Sequence, residues 1–429
     1  MPLIRMPPWS LSASEMDRPL SGPDHFHGLV DRAMRARGQA GNISRMCFDL
    51  GTADADAVAA ALRASPVVRS VARVRWRTRW PRLPRWHLVA EAPDVVRVQR
   101  TDDAGTWLAQ RLQEPLGRDG LLRFDVRAGT GATQVLVSFH HALFDHQGML
   151  NLLHAVEAGG WHGPAVPPVD RAPGPGAWRE AIACAVTAFR TAGPRLGSLW
   201  VPGHAGGPPR YHVLRFTAAE TARIDARARA AGASLSRNAW IQAVVAHLVQ
   251  ATLQRRGRPA PYLWFSAPVD QRPRTGVGHL LTNLNSYFFF RLERAQLQDP
   301  VVALGALNAQ FVAQVRSAFP QRYRSLLRAF RHPPAWLASA MFSLPSLGRW
   351  SSFGHSDLGD LDRMPTTFTG RPIVQVLHLP PVPSPPGLSV VTGRERGALL
   401  MVIGHQDRSL DDQGSAAFRS ALRDLLLGA

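Results

Sequence analysis

The stretch "TQVLVSFHHALFDHQGMLNLLHAVEA", residues 133 to 158, limits the fold more than any other part of the chain. "TQVLVSF" is a nearly continuous apolar run of strand length, and "QGMLNLLHAVEA" has apolar residues at helical spacing. Between them lie three histidines and one aspartate within seven positions: His140, His141, Asp145 and His146. A strand that ends in titratable residues and passes through a short loop into a helix is a unit of α/β folds. Functional groups gather on such loops.

Adjacent residues on a strand point to opposite faces, so His140 and His141 cannot both address one site while the strand continues. If one faces a cleft, the other supports the structure. A lone histidine on an apolar strand is ordinarily a satisfied core residue, but the loop setting moves the balance toward chemistry. Asp145 would either orient an imidazole or pair with an arginine. A metal centre needs converging ligands, which opposed side chains do not supply. No HExxH helix and no cysteine pair accompany the cluster, so no metal is expected. No G-x-S-x-G elbow marks a serine hydrolase.

The 429 residues are more than one core normally fills, which predicts two units of about 200 residues each. Residues 50–64 read as a loop and a short amphipathic helix. "RVRWRTRW" alternates, with Arg73, Arg75, Arg77 and Arg79 on one strand face and Val74, Trp76, Thr78 and Trp80 on the other. Proline and glycine crowd residues 159–178 and 193–209, and the boundary is placed there, giving units 1–205 and 206–429. The second unit opens with the strand "YHVLRF". A capping box of Thr217 and Glu220 then starts a helix, and a mostly apolar helix from "SRNAW" follows. The strands "YLWFSAPVD" and "NSYFFFRL" come next, then a C-terminal hairpin and a closing helix. Both units are mixed α/β.

"HHALFDHQG" resembles the HHxxxDG signature of the chloramphenicol-acetyltransferase-like acyltransferases, a superfamily that includes condensation domains, wax ester synthases and polyketide-associated acyltransferases. The resemblance extends to "EPLGRDGLLRFDVRAG", to "FSAPVDQRPRTGVGHLLTNLNSYFFFRL", to "TTFTG" and to "PPGLSVVTGRERGALLMVIGHQDRSLDD". In that order they cover the chain from about residue 45 to its end. The resemblance implies two similar α/β subdomains with a tunnel between them. His141 is then the general base toward an acceptor alcohol or amine, and His140 is structural. Asp145 pairs with Arg272, the arginine of "PVDQR". Asn283 and Thr369 match positions where the family has polar groups near the tunnel, either of which could hold an oxyanion. The chain departs from the signature at His146, which stands where the motif has glycine. Gly148 comes two residues later. This departure favours the alternative of a catalytically inactive docking or binding protein of the same fold.

The resemblance also implies an acyl thioester as donor and no tightly bound cofactor. With no carrier domain in the chain, the co-substrate would be acyl-CoA or the phosphopantetheine of an acyl carrier protein acting in trans. The net charge of +19, all of it from arginine, suits either anionic donor. It also draws a chain to nucleic acid, but the 73–80 stretch reads as an ordinary half-buried strand, and no nucleic acid is expected. Residues 324–350 are basic, aromatic and apolar. They read equally as core helices or as a surface for peripheral membrane contact. Two cysteines, no signal-peptide pattern and no run of 18 apolar residues place the chain in the cytoplasm, with the inner membrane surface as the peripheral alternative.

Overall fold

The computed structural model describes residues 9–117, 120–168, 174–201, 208–233, 236–272, 278–281 and 283–428. The apolar run expected as a strand extends from Ala132 to His140 and lies at the centre of a sheet. The order across that sheet is Gln375–Leu379, Ile43–Asp49, Ala132–His140, Leu122–Gly129, Val96–Arg100. Both neighbours of the central strand run antiparallel to it, and only the last pairing is parallel. Both faces are covered, which is why the sequence lacks a clean polar alternation. Val135 and Val137 pack with Phe124 and Val126 against Leu62, Val67 and Met149 from three helices. Leu136 faces the other way, to Trp107 and Leu112 of the Ala104–Gln113 helix.

The second sheet has the order Pro209–Arg215, Ala398–Gln406, Leu388–Glu395, Gly354–Asp360, Tyr262–Asp270, Asn285–Glu293, and is also mixed. Its core joins Phe265, Phe290 and Met401 to the helices Arg237–Arg255 and Asp412–Leu427. Burying each such side chain contributes roughly 1.5–3 kcal/mol. Ser, Thr or Asp caps start most of the described helices, while Pro175–Ala192, Phe319–Ala329 and Ala335–Ser343 have no side-chain cap. At Thr217 the capping box is complete, with Oγ1 accepting from the Glu220 N–H and the Glu220 carboxylate accepting from the Thr217 N–H.

The chain crosses between the units. Gln375–Leu379, far along the second half, supplies the edge strand beside Ile43–Asp49. Leu280, Leu281 and Phe368 join the first core. The expected boundary at 205/206 lies outside the described residues. Next to it, an 18-residue helix, Pro175–Ala192, occupies what the flanking prolines and glycines present as linker.

The arginine-rich stretch differs from its expected form. Only Val74–Arg77 is strand, paired with Arg85–Leu88, and Trp80 lies in the turn between them. Arg75 is buried and donates to the Ala72 and Val74 carbonyls, both at 2.7 Å. The alternation therefore does not present a uniform solvated arginine face. No described helix is long and apolar enough to cross a membrane.

Candidate active site

A cavity of about 530 Å³ lies where the two sheets meet. His141 lines it from the end of the first central strand, and Arg272 lines it from the end of Tyr262–Asp270. The strand stops at His140, and the backbone turns there, so the histidines separate as strand geometry requires.

His140 points into protein. Its Nδ1 accepts from the Ala142 N–H at 3.0 Å, and its Nε2 lies 3.2 Å from Asp31 Oδ1. Trp76 packs edge-on to the ring at 4.5 Å. Asp31 also accepts from Arg35 Nε at 2.8 Å and from the Asn42 N–H at 2.9 Å. Burial raises its pKa, but His140 first and then Arg35 outweigh that and hold its carboxyl below its ordinary value.

His141 faces the cavity. Its backbone N–H donates to the Asn42 carbonyl at 2.9 Å. Its Nδ1 is buried, which leaves Nε2 as the nitrogen toward the cavity. Burial pushes its pKa below 6.5, while the Asp145 charge and the Asn283 side chain act in the opposite sense. A lowered pKa keeps the ring neutral at pH 7, the state in which it can accept a proton.

His27, on the Gly22–Arg35 helix, stacks face to face on His141, with ring centroids 3.8 Å apart and planes 6° from parallel. Asn42 Nδ2 donates to His27 Nδ1 at 3.1 Å and to the His27 carbonyl at 3.2 Å. A donor on Nδ1 leaves the proton of the neutral ring on Nε2. Burial first, then the His141 and His140 charges, hold His27 well below its ordinary pKa. His27, Asn42 and Asp31 are not singled out by the sequence. Each lies about a hundred residues before the motif, and only the alternation of buried positions along 22–35 marks that helix face.

Asp145 caps the His146–Ala158 helix, with Oδ1 accepting from the Gly148 N–H at 3.0 Å. Arg272 clamps the same carboxylate from two nitrogens, at 2.7 and 3.0 Å, and donates to Asp270 at 3.1 Å. The Leu284 N–H also donates to Asp145, at 3.2 Å. Burial works against the Arg272 charge, and Asp145 outweighs it, so its pKa is raised. The clamp joins the loop of the first unit to the second sheet.

The structure places the two expected oxyanion groups elsewhere. Asn283 is fully buried, and its Nδ2 donates to the Ala142 carbonyl at 2.9 Å and to Asp24 Oδ1 at 3.1 Å. With both amide protons used, it is a positioning residue beneath His141. Thr369 does not line the cavity. Its hydroxyl donates to the Phe368 carbonyl and its N–H donates to Glu157 near the end of the His146–Ala158 helix.

The glycine of the motif is displaced, not lost. A Cβ at Gly148 would lie 2.4 Å from the Phe144 Cβ and 3.3 Å from the Leu280 carbonyl oxygen. His146 instead starts the helix, lines the cavity and packs edge-on to His378 at 5.4 Å. Burial lowers the pKa of His146 and His355 to about 4, and of His378 to about 3. Among the described residues, His27, His141, His146, His355 and His378 give the cavity a wall of neutral imidazoles. No three titratable groups of the described residues are grouped to hold a metal ion.

No protein-family model matches the sequence, and no curated protein matches it in sequence. Solved structures do match in fold. The trichothecene 15-O-acetyltransferase of Fusarium sporotrichioides is similar at a TM-score of 0.71 and 12% identity, over 98% of this chain and 99% of that one. The first condensation domain of the calcium-dependent antibiotic synthetase is similar at 0.66 and 15%, over 97% of each chain. The wax ester synthase/diacylglycerol acyltransferase of Marinobacter aquaeolei VT8 is similar at 0.59 and 15%, over 96% and 100%. The chain thus has the two-subdomain α/β fold of these solved structures, as the resemblance implied.

Proposed function

We propose that the chain is an acyltransferase that moves an acyl group from a thioester to an alcohol or amine, with His141 as general base. The observation that carries this is a neutral imidazole on the cavity wall, stacked on His27 and backed by the Asp145–Arg272 clamp. The acceptor oxygen or nitrogen attacks the thioester carbonyl as His141 Nε2 takes its proton. The new C–O or C–N bond forms, the C–S bond breaks, and the proton passes from the imidazolium to the leaving thiolate. A thiol leaves readily, so the scheme needs no covalent acyl-enzyme. Holding both substrates against His141 supplies much of the rate.

Acyl-CoA or a carrier-bound phosphopantetheine is the donor in this reading, and the net charge of +19 favours either. The inactive-docking alternative rested on His146, but Gly148 meets the crowding at this turn, and His146 adopts ordinary helix. The test is thiol release and acyl-product formation from a panel of acyl-CoAs and acyl carriers with small alcohols and amines. Wild type is compared with His141→Ala. Activity lost in the variant, with circular dichroism unchanged, is expected. Turnover that survives in His141→Ala would remove His141 from its role, and no turnover with any donor would favour the docking alternative.

A further inference from the structure

The Pro175–Ala192 helix exposes an apolar stripe beside its polar residues Arg179, Glu180, Thr187 and Arg190, where a soluble surface helix ordinarily turns its apolar residues to the core. Its inner face, Ala181, Cys184 and Ala192, is buried. Trp178, Ile182, Val186 and Phe189 recur at spacings of four, four and three on the outer face, and are 39% to 62% exposed. The stripe continues onto its neighbour. Trp178 meets His332 at 5.4 Å, just before the Ala335–Ser343 helix. On that helix and in the turn that follows it, Trp336, Met341, Leu344 and Leu347 are 50% to 68% exposed. Soluble monomers rarely leave an apolar face this continuous in water.

Charge selects what covers the face. Arg179, Arg190 and Arg195 are exposed along or just beyond the first helix. From residue 316 to residue 350 the sequence holds six arginines and no acidic residue; Arg316 is exposed, Arg322, Arg324, Arg328 and Arg349 are half-buried, and Arg331 is buried. A second copy of the chain would bring the same positive charge to the contact. An anionic bilayer brings the opposite charge, an apolar layer for the stripe, and the headgroup boundary that tryptophan side chains prefer.

We propose that the outer faces of Pro175–Ala192 and Ala335–Ser343 together dock the protein on an anionic lipid surface, lying on it without crossing it. The inner side of the same helix pair carries a consequence. Tyr323, from the Phe319–Ala329 helix beneath, lines the cavity, and its core cluster includes Ala181 and Cys184. The docking face therefore lies one helix layer from the aromatic end of the cavity.

The test is co-sedimentation of the full chain with vesicles of phosphatidylcholine alone and with added phosphatidylglycerol. Three proteins are compared: wild type, the double variant Ile182→Glu/Phe189→Glu, and the control Val374→Glu, which alters an exposed apolar residue on the distant first-sheet edge. All substituted side chains are exposed, so folding is retained, and circular dichroism checks it. Binding should require phosphatidylglycerol and weaken with salt by roughly fivefold per arginine contact released. It should fall at least about tenfold in the double variant and stay unchanged in the control. Wild type that does not sediment with anionic vesicles overturns the proposal. So does binding equal in the double variant, which would show bulk arginine attraction, or a dimer in sedimentation velocity that this variant disperses while vesicles stay bare. The outcome is independent of acyl transfer.

Discussion

The face-to-face contact of His27 and His141 limits the proton states available at the cavity. Two imidazolium rings 3.8 Å apart would repel by roughly 4 kcal/mol at an effective dielectric of 20, so the pair accommodates one proton, not two. Because Asn42 donates to His27 Nδ1, that ring stays neutral, and in the proposed mechanism His141 is the member that cycles. Activity should follow deprotonation of His141, whose pKa lies below 6.5. We expect kcat/KM to be flat above neutrality and to fall through a single ionisation below pH 6.5. An acid limb centred above 6.5 would contradict the burial-driven shift. His27→Ala removes the stacking surface and should lower kcat/KM by roughly two- to tenfold, the worth of an aromatic pair. His27→Phe keeps the surface and should restore most of that loss. If His27 itself took the proton, His27→Phe would stay as slow as His27→Ala and the acid limb would change with it.

At the scale of elements, the Asp145–Arg272 clamp is the joint between the strand–helix turn and the second sheet. It is bidentate, buried and backed by the Gly148 and Leu284 N–H groups. Removing one partner strands the other, so Asp145→Ala should destabilise the fold by roughly 3–5 kcal/mol, read from the urea midpoint. Gly148→Ala tests the same turn from the backbone side. Its methyl would lie 2.4 Å from Phe144, so it should destabilise by about 1–3 kcal/mol, whereas His146→Gly, two residues away, relieves none of that contact and should not rescue it. The turn was legible in the sequence because one continuous segment carries its strand, motif and helix, and Arg272 follows from the resemblance. Local patterning could not reveal what reaches this turn from elsewhere. Asp31 meets His140 across more than a hundred residues, and Gln375–Leu379 crosses back to the first sheet with a mixed pattern like that of any half-buried strand. The Pro175–Ala192 helix was hidden for a different reason. The prolines and glycines that read as linker lie at its ends, where a helix tolerates them, and its outward face breaks the amphipathic rule.

For the whole molecule, the neutral imidazoles link the cavity to global stability. His25, His146 and His355 have pKa values of about 4, and His378 about 3, each because burial disfavours the charged ring. In the unfolded chain they would titrate near 6.5. Below that pH the unfolded state binds more protons than the folded state, so stability falls as the pH drops from 6.5 toward 4 and is unaffected above. Each fully shifted histidine tilts the balance by about 1.4 kcal/mol per pH unit in that window, against a total of only about 5–15 kcal/mol. Asp24 works the other way. Burial raises its pKa, so its protonation relieves a cost as the pH falls toward that raised value. One carboxyl does not offset four imidazoles over the same range. The urea midpoint should therefore be level from pH 9 to pH 7 and drop steeply below 6.5, with unfolding before pH 4 is reached. His378→Gln separates this linkage from general acid damage. It removes the most strongly shifted of the four, so its midpoint should fall less between pH 7 and pH 5 than that of wild type, even if it is lower at pH 7. Parallel curves for the two proteins would mean that the buried imidazoles do not set the acid limit of this fold.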